Sequence, residues 1–135
     1  MPDYDRPIIY TKPPGPKARA MIAQDNSLLS KSLSRKSELV GARAHGAFVE
    51  DVDGNVYLDF GSGIGVTVMG HTHPRVVQAI QRQAETLIHV NSCDYYSLPQ
   101  IEYARRIMRL SPGDYTKRIF FSNSGAESNV LSMAS

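Results

Sequence analysis

The sequence holds one cysteine, Cys93. An internal disulfide framework is excluded, and a lone thiol fits a reducing compartment. Excess charge is also lacking: 15 basic residues against 13 acidic ones leave a net charge of +2. That is too little to argue for nucleic acid, and the basic residues are scattered rather than gathered in a block. No apolar run approaches the ~20 residues that span a bilayer. The opening MPDYDRPIIYTKPPGPK has no apolar stretch of the secretory kind. The expectation is a cytoplasmic protein with no nucleic acid and no membrane among its partners. Internal repeats and low-complexity segments are missing too.

What is there is a globular composition, 41% hydrophobic and 21% charged over 135 residues, too apolar for a disordered chain and long enough for one ordinary domain. Pro2, Pro7, Pro13, Pro14 and Pro16 crowd the first 17 residues. They forbid helix or central strand and predict an extended arm, either loose or strapped over another surface. Residues 17–29 suit a short helix with a partial stripe of Ala20, Met21, Ala23, Leu28 and Leu29; residues 30–37 read as loop. In AFVEDVDGNVYLDF (47–60), Asp53-Gly54 parts two β-forming runs, which predicts a hairpin. GSGIGVTVMGH (61–71) follows, and its glycines imply a backbone that bends tightly or passes close to something.

Residues 74–90 predict an amphipathic helix, with Val76, Val77, Ile80, Ala84, Leu87 and Ile88 on one face and Pro74 in the first turn. A second helix is expected from Leu98 to Leu110. Ser97 and Gln100 have capping-box spacing, and Ser111-Pro112-Gly113 stops the run. KRIFFS (117–122) reads as a short buried strand. Helices on either side of a buried strand point to an α/β sheet of which this chain holds only a part.

The end of that strand is the chemically informative place. In FSNSGAESN, Ser124 can cap a helix starting at Gly125, with Glu127 at the third helical position. A helix start presents unpaired N–H groups and partial positive charge. Gly125 and Ala126 have almost no side chain to block an approaching group, so the corner suits a phosphate. The residues alone leave two readings open: a cap with no ligand, or an anion seat. His71 and His73 have a spacing that invites a metal, but His45 and His89 are the only other histidines and no acidic cluster accompanies them. Loop packing before Pro74 explains them better, and no metal site is expected. Cys93 has no visible activator and receives no catalytic role. With Asp94, Tyr95 and Tyr96 it forms either a pocket edge or a plain surface contact.

YLDFGSGIGVTVMGHTHPRVVQAI (57–80) followed by RIFFSNSGAES (118–128) resembles the amino-terminal part of the class III aminotransferases. These are enzymes of fold type I that use pyridoxal 5′-phosphate. The likeness runs from about Leu39 to Asn129, and its two blocks fall in the family's order. PGPKARAMIAQD (14–25) is further similar to the 4-aminobutyrate aminotransferase subgroup. The resemblance implies an α/β fold: an N-terminal part over 1–70, comprising arm, short helix, hairpin and glycine loop, then the start of the large cofactor-binding domain over 71–135. It places Ser124, Gly125 and Ala126 at the cofactor phosphate and Ile64 at the wall of the substrate pocket. An apolar residue there suits an aliphatic ω-amino acid. The implied reaction moves an amino group from such a donor, 4-aminobutyrate for example, to a 2-oxo acid such as 2-oxoglutarate, in a homodimer. Ornithine or acetylornithine aminotransferase, aminomutase and racemase chemistry share the visible part.

The sequence also departs from the family. Its lysines are Lys12, Lys17, Lys31, Lys36 and Lys117, all upstream of the corner, and none matches the lysine that carries the cofactor. No catalytic residue is therefore assigned. SNVLSMAS (128–135) replaces an alanine-rich helix, with Val130, Ser132 and Ser135 foreign to the pattern. The expectation is a fragment, a truncation or a frame-shifted reading, inactive alone. The competing expectation is a non-catalytic remnant that docks on a full-length subunit.

Overall fold

The computed structural model describes residues 4–133, so Pro2 and Ser135 lie outside the described residues. The elements run α1 (Pro16–Leu28), β1 (Gly41–His45), β2 (Phe48–Asp51), β3 (Val56–Leu58), α2 (Ser62–Gly65), α3 (Pro74–Thr86), α4 (Leu98–Leu110) and α5 (Gly125–Met133). The chain is of the mixed α/β kind. Residues up to Thr86 form one compact unit and those from Leu87 a second.

In the first unit, β1, β2 and β3 make an antiparallel three-stranded sheet in chain order. The expected hairpin is β2–β3, pairing Phe48 with Leu58, Val49 with Tyr57 and Glu50 with Val56. Its turn differs in detail from a two-residue loop. Asp51 carbonyl accepts from Gly54 N at 3.0 Å and Asp51 N donates to Asn55 carbonyl at 2.9 Å. Only Gly54 in the turn takes a positive φ, +89°. The result is a three-residue loop closed by a left-handed glycine, the next commonest hairpin solution. Strand β1 carries no alternating apolar pattern. It is held by pairing to β2, with a register irregularity between Gly41 and Arg43, and by the Arg43 guanidinium, which donates to both Glu50 carboxylate oxygens at 2.7 and 2.8 Å.

The buried centre of this unit is largely polar. Among the described residues, Ala18 and Val56 are the buried hydrophobics, and Glu50, Asp51 and Asn55 are buried beside them. Buried polar groups persist only when their hydrogen bonds are made, and here they are. Asp51 accepts from Asp53 N, Asn55 N, Asn55 Nδ2 and the Tyr57 hydroxyl, all at 2.8–2.9 Å. Burial raises the Asp51 pKa, but these bonds outweigh it and hold the carboxyl below its ordinary 3.8.

The proline-rich arm is strapped to that turn. Ile8 and Val56 exchange backbone hydrogen bonds at 2.9 and 2.7 Å, and Asn55 Oδ1 accepts from Tyr10 N and Thr11 N at 2.8 and 2.9 Å. Helix α1 is capped from a distance. Gly15 supplies no side chain, and the Asp53 carboxylate accepts from Lys17 N at 3.0 Å and Ala18 N at 2.9 Å. A Cβ on Gly15 would collide with that carboxylate. An acidic acceptor at a helix start also complements the partial positive charge there.

Helix α3 starts at Pro74 as expected but ends at Thr86 rather than at residue 90. There Thr86 Oγ1 turns back to donate to Arg82 carbonyl at 2.8 Å, a local alternative to the next turn. In the second unit, α4 has the expected bounds, but Ser97 makes no side-chain cap. Pro99 removes one of the two amides such a cap takes. Residues 117–122 form no strand among the described residues, and none of them is buried, against the expected buried strand. A parallel strand needs flanking strands to complete its ladder. Here Phe121 instead stacks on Tyr103, ring centroids 5.6 Å apart.

Candidate functional site

Two places carry the residues singled out above, one in each unit. In the second unit, α5 begins at Gly125 with Ser124 before it. Ser124 Oγ accepts from Glu127 N at 3.2 Å, and the Glu127 carboxylate reaches back to Asn123 N at 2.7 Å. The capping box thus forms one residue wider than expected, taking Asn123 rather than Ser124 as its second amide. Ser122 Oγ meets Ser128 Oγ at 2.5 Å and ties the segment before the helix to its first turn. The amides of Gly125 and Ala126 have no acceptor among the described residues. No atom stands within 4 Å of where a Gly125 Cβ would be. The corner is therefore two unpartnered donors on exposed residues at the positive end of a nine-residue helix.

The first unit holds the glycine loop. Ser62, Gly63, Ile64 and Gly65 have φ of +46°, +61°, +64° and +80°, so α2 is a single turn wound left-handed. Such winding costs roughly 1–2 kcal/mol per non-glycine residue, and a β-branched residue is the least suited to it. Ile64 is 99% exposed, so no packing of its side chain compensates. Backbone bonds from Ile64 N and Gly65 N to Gly61 carbonyl, at 2.8 and 3.1 Å, close the turn. The Asp59 carboxylate holds its entry, accepting from Gly61 N at 2.8 Å and Ser62 N at 2.9 Å. Its other oxygen meets His71 Nε2 at 2.7 Å. That contact first, then the two amides, holds the Asp59 carboxyl below its ordinary 3.8. His71 is anchored in turn by paired backbone bonds with Gly46, at 2.8 and 3.1 Å. His73 Nδ1 has no partner and is shielded from solvent. Among the described residues no group of three His, Cys, Asp or Glu could hold a metal. Cys93 is exposed.

With this geometry in view, likeness to known proteins decides the family. The family model for Aminotransferase class-III matches residues 31–134. The chain is a class-III aminotransferase sequence.

Acetylornithine aminotransferase of Methanocaldococcus jannaschii is 55% identical over 62% of this chain and 20% of its own length. The probable 4-aminobutyrate aminotransferase of Bacillus subtilis is 37% identical over 76% of the chain and 23% of its own length. The crystal structure of acetylornithine aminotransferase from Elizabethkingia anophelis superposes with a TM-score of 0.75 at 28% identity, covering 86% of this chain and 29% of that one. The chain thus spans between a fifth and a third of these relatives. Membership among the class-III aminotransferases implies pyridoxal 5′-phosphate as cofactor, and the free amides and open space at Gly125 fit its phosphate. Ile64 stands in the first unit and Ser124, Gly125 and Ala126 in the second. Two participants escaped the sequence reading: Asp59, and the role of His71 as its partner. The aspartate twelve residues before the first histidine of GHTHP was the available signal.

Proposed function

We propose that this chain is the amino-terminal portion of a class-III aminotransferase, seating the cofactor phosphate at Ser124, Gly125 and Ala126 and presenting Ile64 to the amino donor. The observation that carries the reading is the pair of unpartnered amides at Gly125 and Ala126, open to solvent at a helix start. Ser124 fixes the first turn so that both N–H groups point the same way, and a phosphate there gains from both and from the helix dipole. When bound, the cofactor supplies an electron sink for chemistry at the substrate carbon. The protein's part in these residues is binding and orientation.

The donor is an ω-amino acid such as 4-aminobutyrate, and the acceptor a 2-oxo acid such as 2-oxoglutarate. An exposed isoleucine at the wall favours an aliphatic donor chain over one with a second polar group. The whole enzyme is a cytoplasmic homodimer on this reading. None of Lys12, Lys17, Lys31, Lys36 and Lys117 takes the role of the cofactor-carrying lysine, so the 135 residues by themselves do not turn over.

The test is a titration of the 15N-labelled chain with pyridoxal 5′-phosphate, and in parallel with inorganic phosphate, followed by amide NMR. Shifts concentrated at Gly125, Ala126 and Glu127 are expected with both. Unmoved amides at Gly125 and Ala126 at saturating ligand would refute the phosphate seat.

A further inference from the structure

A left-handed turn with a β-branched residue inside it does not hold itself. The four residues Ser62–Gly65 all have positive φ, and the exposed Ile64 side chain gains nothing from neighbours. Something at the base of the loop must choose this form over the ordinary right-handed one. We propose that Asp59 and His71 are positioning residues, a clasp that closes the 60–70 loop and sets the left-handed turn that presents Ile64 to the donor.

Three observations carry this. First, one carboxylate binds both ends of the loop. Asp59 Oδ1 takes the entry amides of Gly61 and Ser62, while Oδ2 takes His71 Nε2 at the exit. An Asp59 rotamer that releases His71 also moves the acceptor of the two entry amides, so exit and entry are coupled through one rigid group. Second, the clasp is tied to the sheet rather than to the loop itself. His71 exchanges two backbone bonds with Gly46 in the β1–β2 turn, and Asp59 N donates to Ala47 carbonyl of the same turn at 2.8 Å. Third, the loop returns in a close pass. Gly70 has φ +88°, and a Cβ on it would stand 3.2 Å from Gly46 Cα and carbonyl oxygen. The exit strand is pressed against the β1–β2 turn where His71 can reach Asp59. Both side chains are about four-fifths shielded from water.

The inference rests on the reading that Ile64 faces the donor, and it adds the residues that place it there. Its test uses the full 135-residue chain, 15N-labelled. In Asp59→Ala the amides of Gly61 and Ser62 are expected to exchange at least tenfold faster. The scalar coupling of Ile64 should move from its left-handed value to that of an ordinary negative φ. The amides of Asp51 and Val52, bonded to Asn55 and Val40 carbonyls, should keep their protection. His71→Ala should loosen the same turn although it leaves the Asp59 acceptor in place. His71→Gln, which puts an amide nitrogen where Nε2 stood, should restore the wild-type coupling. The clasp is overturned if Ile64 stays left-handed in both alanine variants, or if both lose protection at Asp51 and Val52 together with the loop. A His71→Gln chain that behaves like His71→Ala also counts against it. A turn that holds without the clasp leaves the donor reading standing, whereas an Ile64 that faces no substrate still shows the coupling changes predicted for both alanine variants, so the two failures are distinguishable.

Discussion

At the scale of single residues, cap and seat are separable. Ser124 acts on the helix, because its hydroxyl takes the Glu127 amide. Ser124→Ala should cost about 1 kcal/mol of α5 stability, read as roughly fivefold faster exchange of the Glu127 amide. Gly125 acts on whatever approaches, because the space beside it is empty. Gly125→Ala should leave α5 as protected as before, since alanine is the better helix former, yet weaken the phosphate-induced shift at Ala126 by putting a methyl group in the way. If Ser124→Ala and Gly125→Ala lower phosphate response and helix protection in the same proportion, the corner is only a cap. A second prediction concerns acid. The Asp59 carboxyl is held below its ordinary value by His71 and the Gly61 and Ser62 amides. A depressed carboxylate pKa contributes stability that is complete above the unfolded value and is lost as pH falls through the lower folded one. The Ser62 amide should therefore stay protected through mildly acidic pH and lose protection only below the ordinary carboxylate range. Loss of protection already well above the ordinary carboxylate range would mean that the Asp59 carboxylate does not govern the loop.

At the scale of elements, one turn fastens three pieces of chain. Asp51 organises the turn, Asn55 straps the arm, and Asp53 caps α1. Asn55 is wholly buried, so Asn55→Ala strands the Tyr10 and Thr11 amides and empties a bond to Asp51. The expected cost is about 1–3 kcal/mol, with the arm freed first. Chymotrypsin should then cut after Tyr10 many times faster than in the wild type, while cleavage after Phe48 in β2 rises much less. Equal acceleration at both sites would show that Asn55 supports the sheet and not the strap. Much of this element order was legible in the sequence. Asp53-Gly54 between β-formers marked the hairpin, and the 3.6-residue periodicity of 74–90 and 98–110 marked α3, which stops at Thr86, and α4. Ser-x-x-Glu marked the start of α5. What stayed hidden is non-local. GARAH has no strand pattern because β1 exists by pairing to β2. The cap of α1 sits 35 residues away in Asp53. The glycines of 61–70 announced a bend, but not that Ile64 would share its handedness, since that depends on Asp59 and His71 meeting in space. Residues 117–122 have the composition of a buried strand yet no neighbour among the described residues to pair with, so local pattern could not become a ladder.

At the scale of the whole chain, burial is uneven, and that has a measurable consequence. In the unit up to Thr86, Ala18, Glu50, Asp51, Asn55 and Val56 are buried around one hydrogen-bonded turn. From Leu87 onward no described residue is buried, and α4 is a helix of 13 residues with Leu110 85% exposed and Met108 and Ile101 more than 40% exposed. A helix of that length is marginal in water unless an apolar face is covered, so its amides have little beyond their own ladder to protect them. Regions poor in buried contacts open at lower free energy than those with a packed centre. Native-state hydrogen exchange in low denaturant should then give two classes of amide. Those of Ala104 and Ile107 in α4 should exchange at a low opening free energy that hardly varies with denaturant. Those of Asp51 and Val52 should follow a larger one that falls with denaturant. Acid should separate the classes further. The Asp51 carboxyl is depressed by its four hydrogen bonds against the effect of burial, so its contribution is present above its ordinary pKa of 3.8 and disappears as pH drops through the lower folded value. Lowering the pH below that range should weaken the protection of the Asp51 and Val52 amides and leave α4, which bonds to no such carboxylate among the described residues, where it was. A single opening free energy shared by Val52 and Ile107, shifting together with acid, would mean that the two units fold as one and that the polar turn stabilises both.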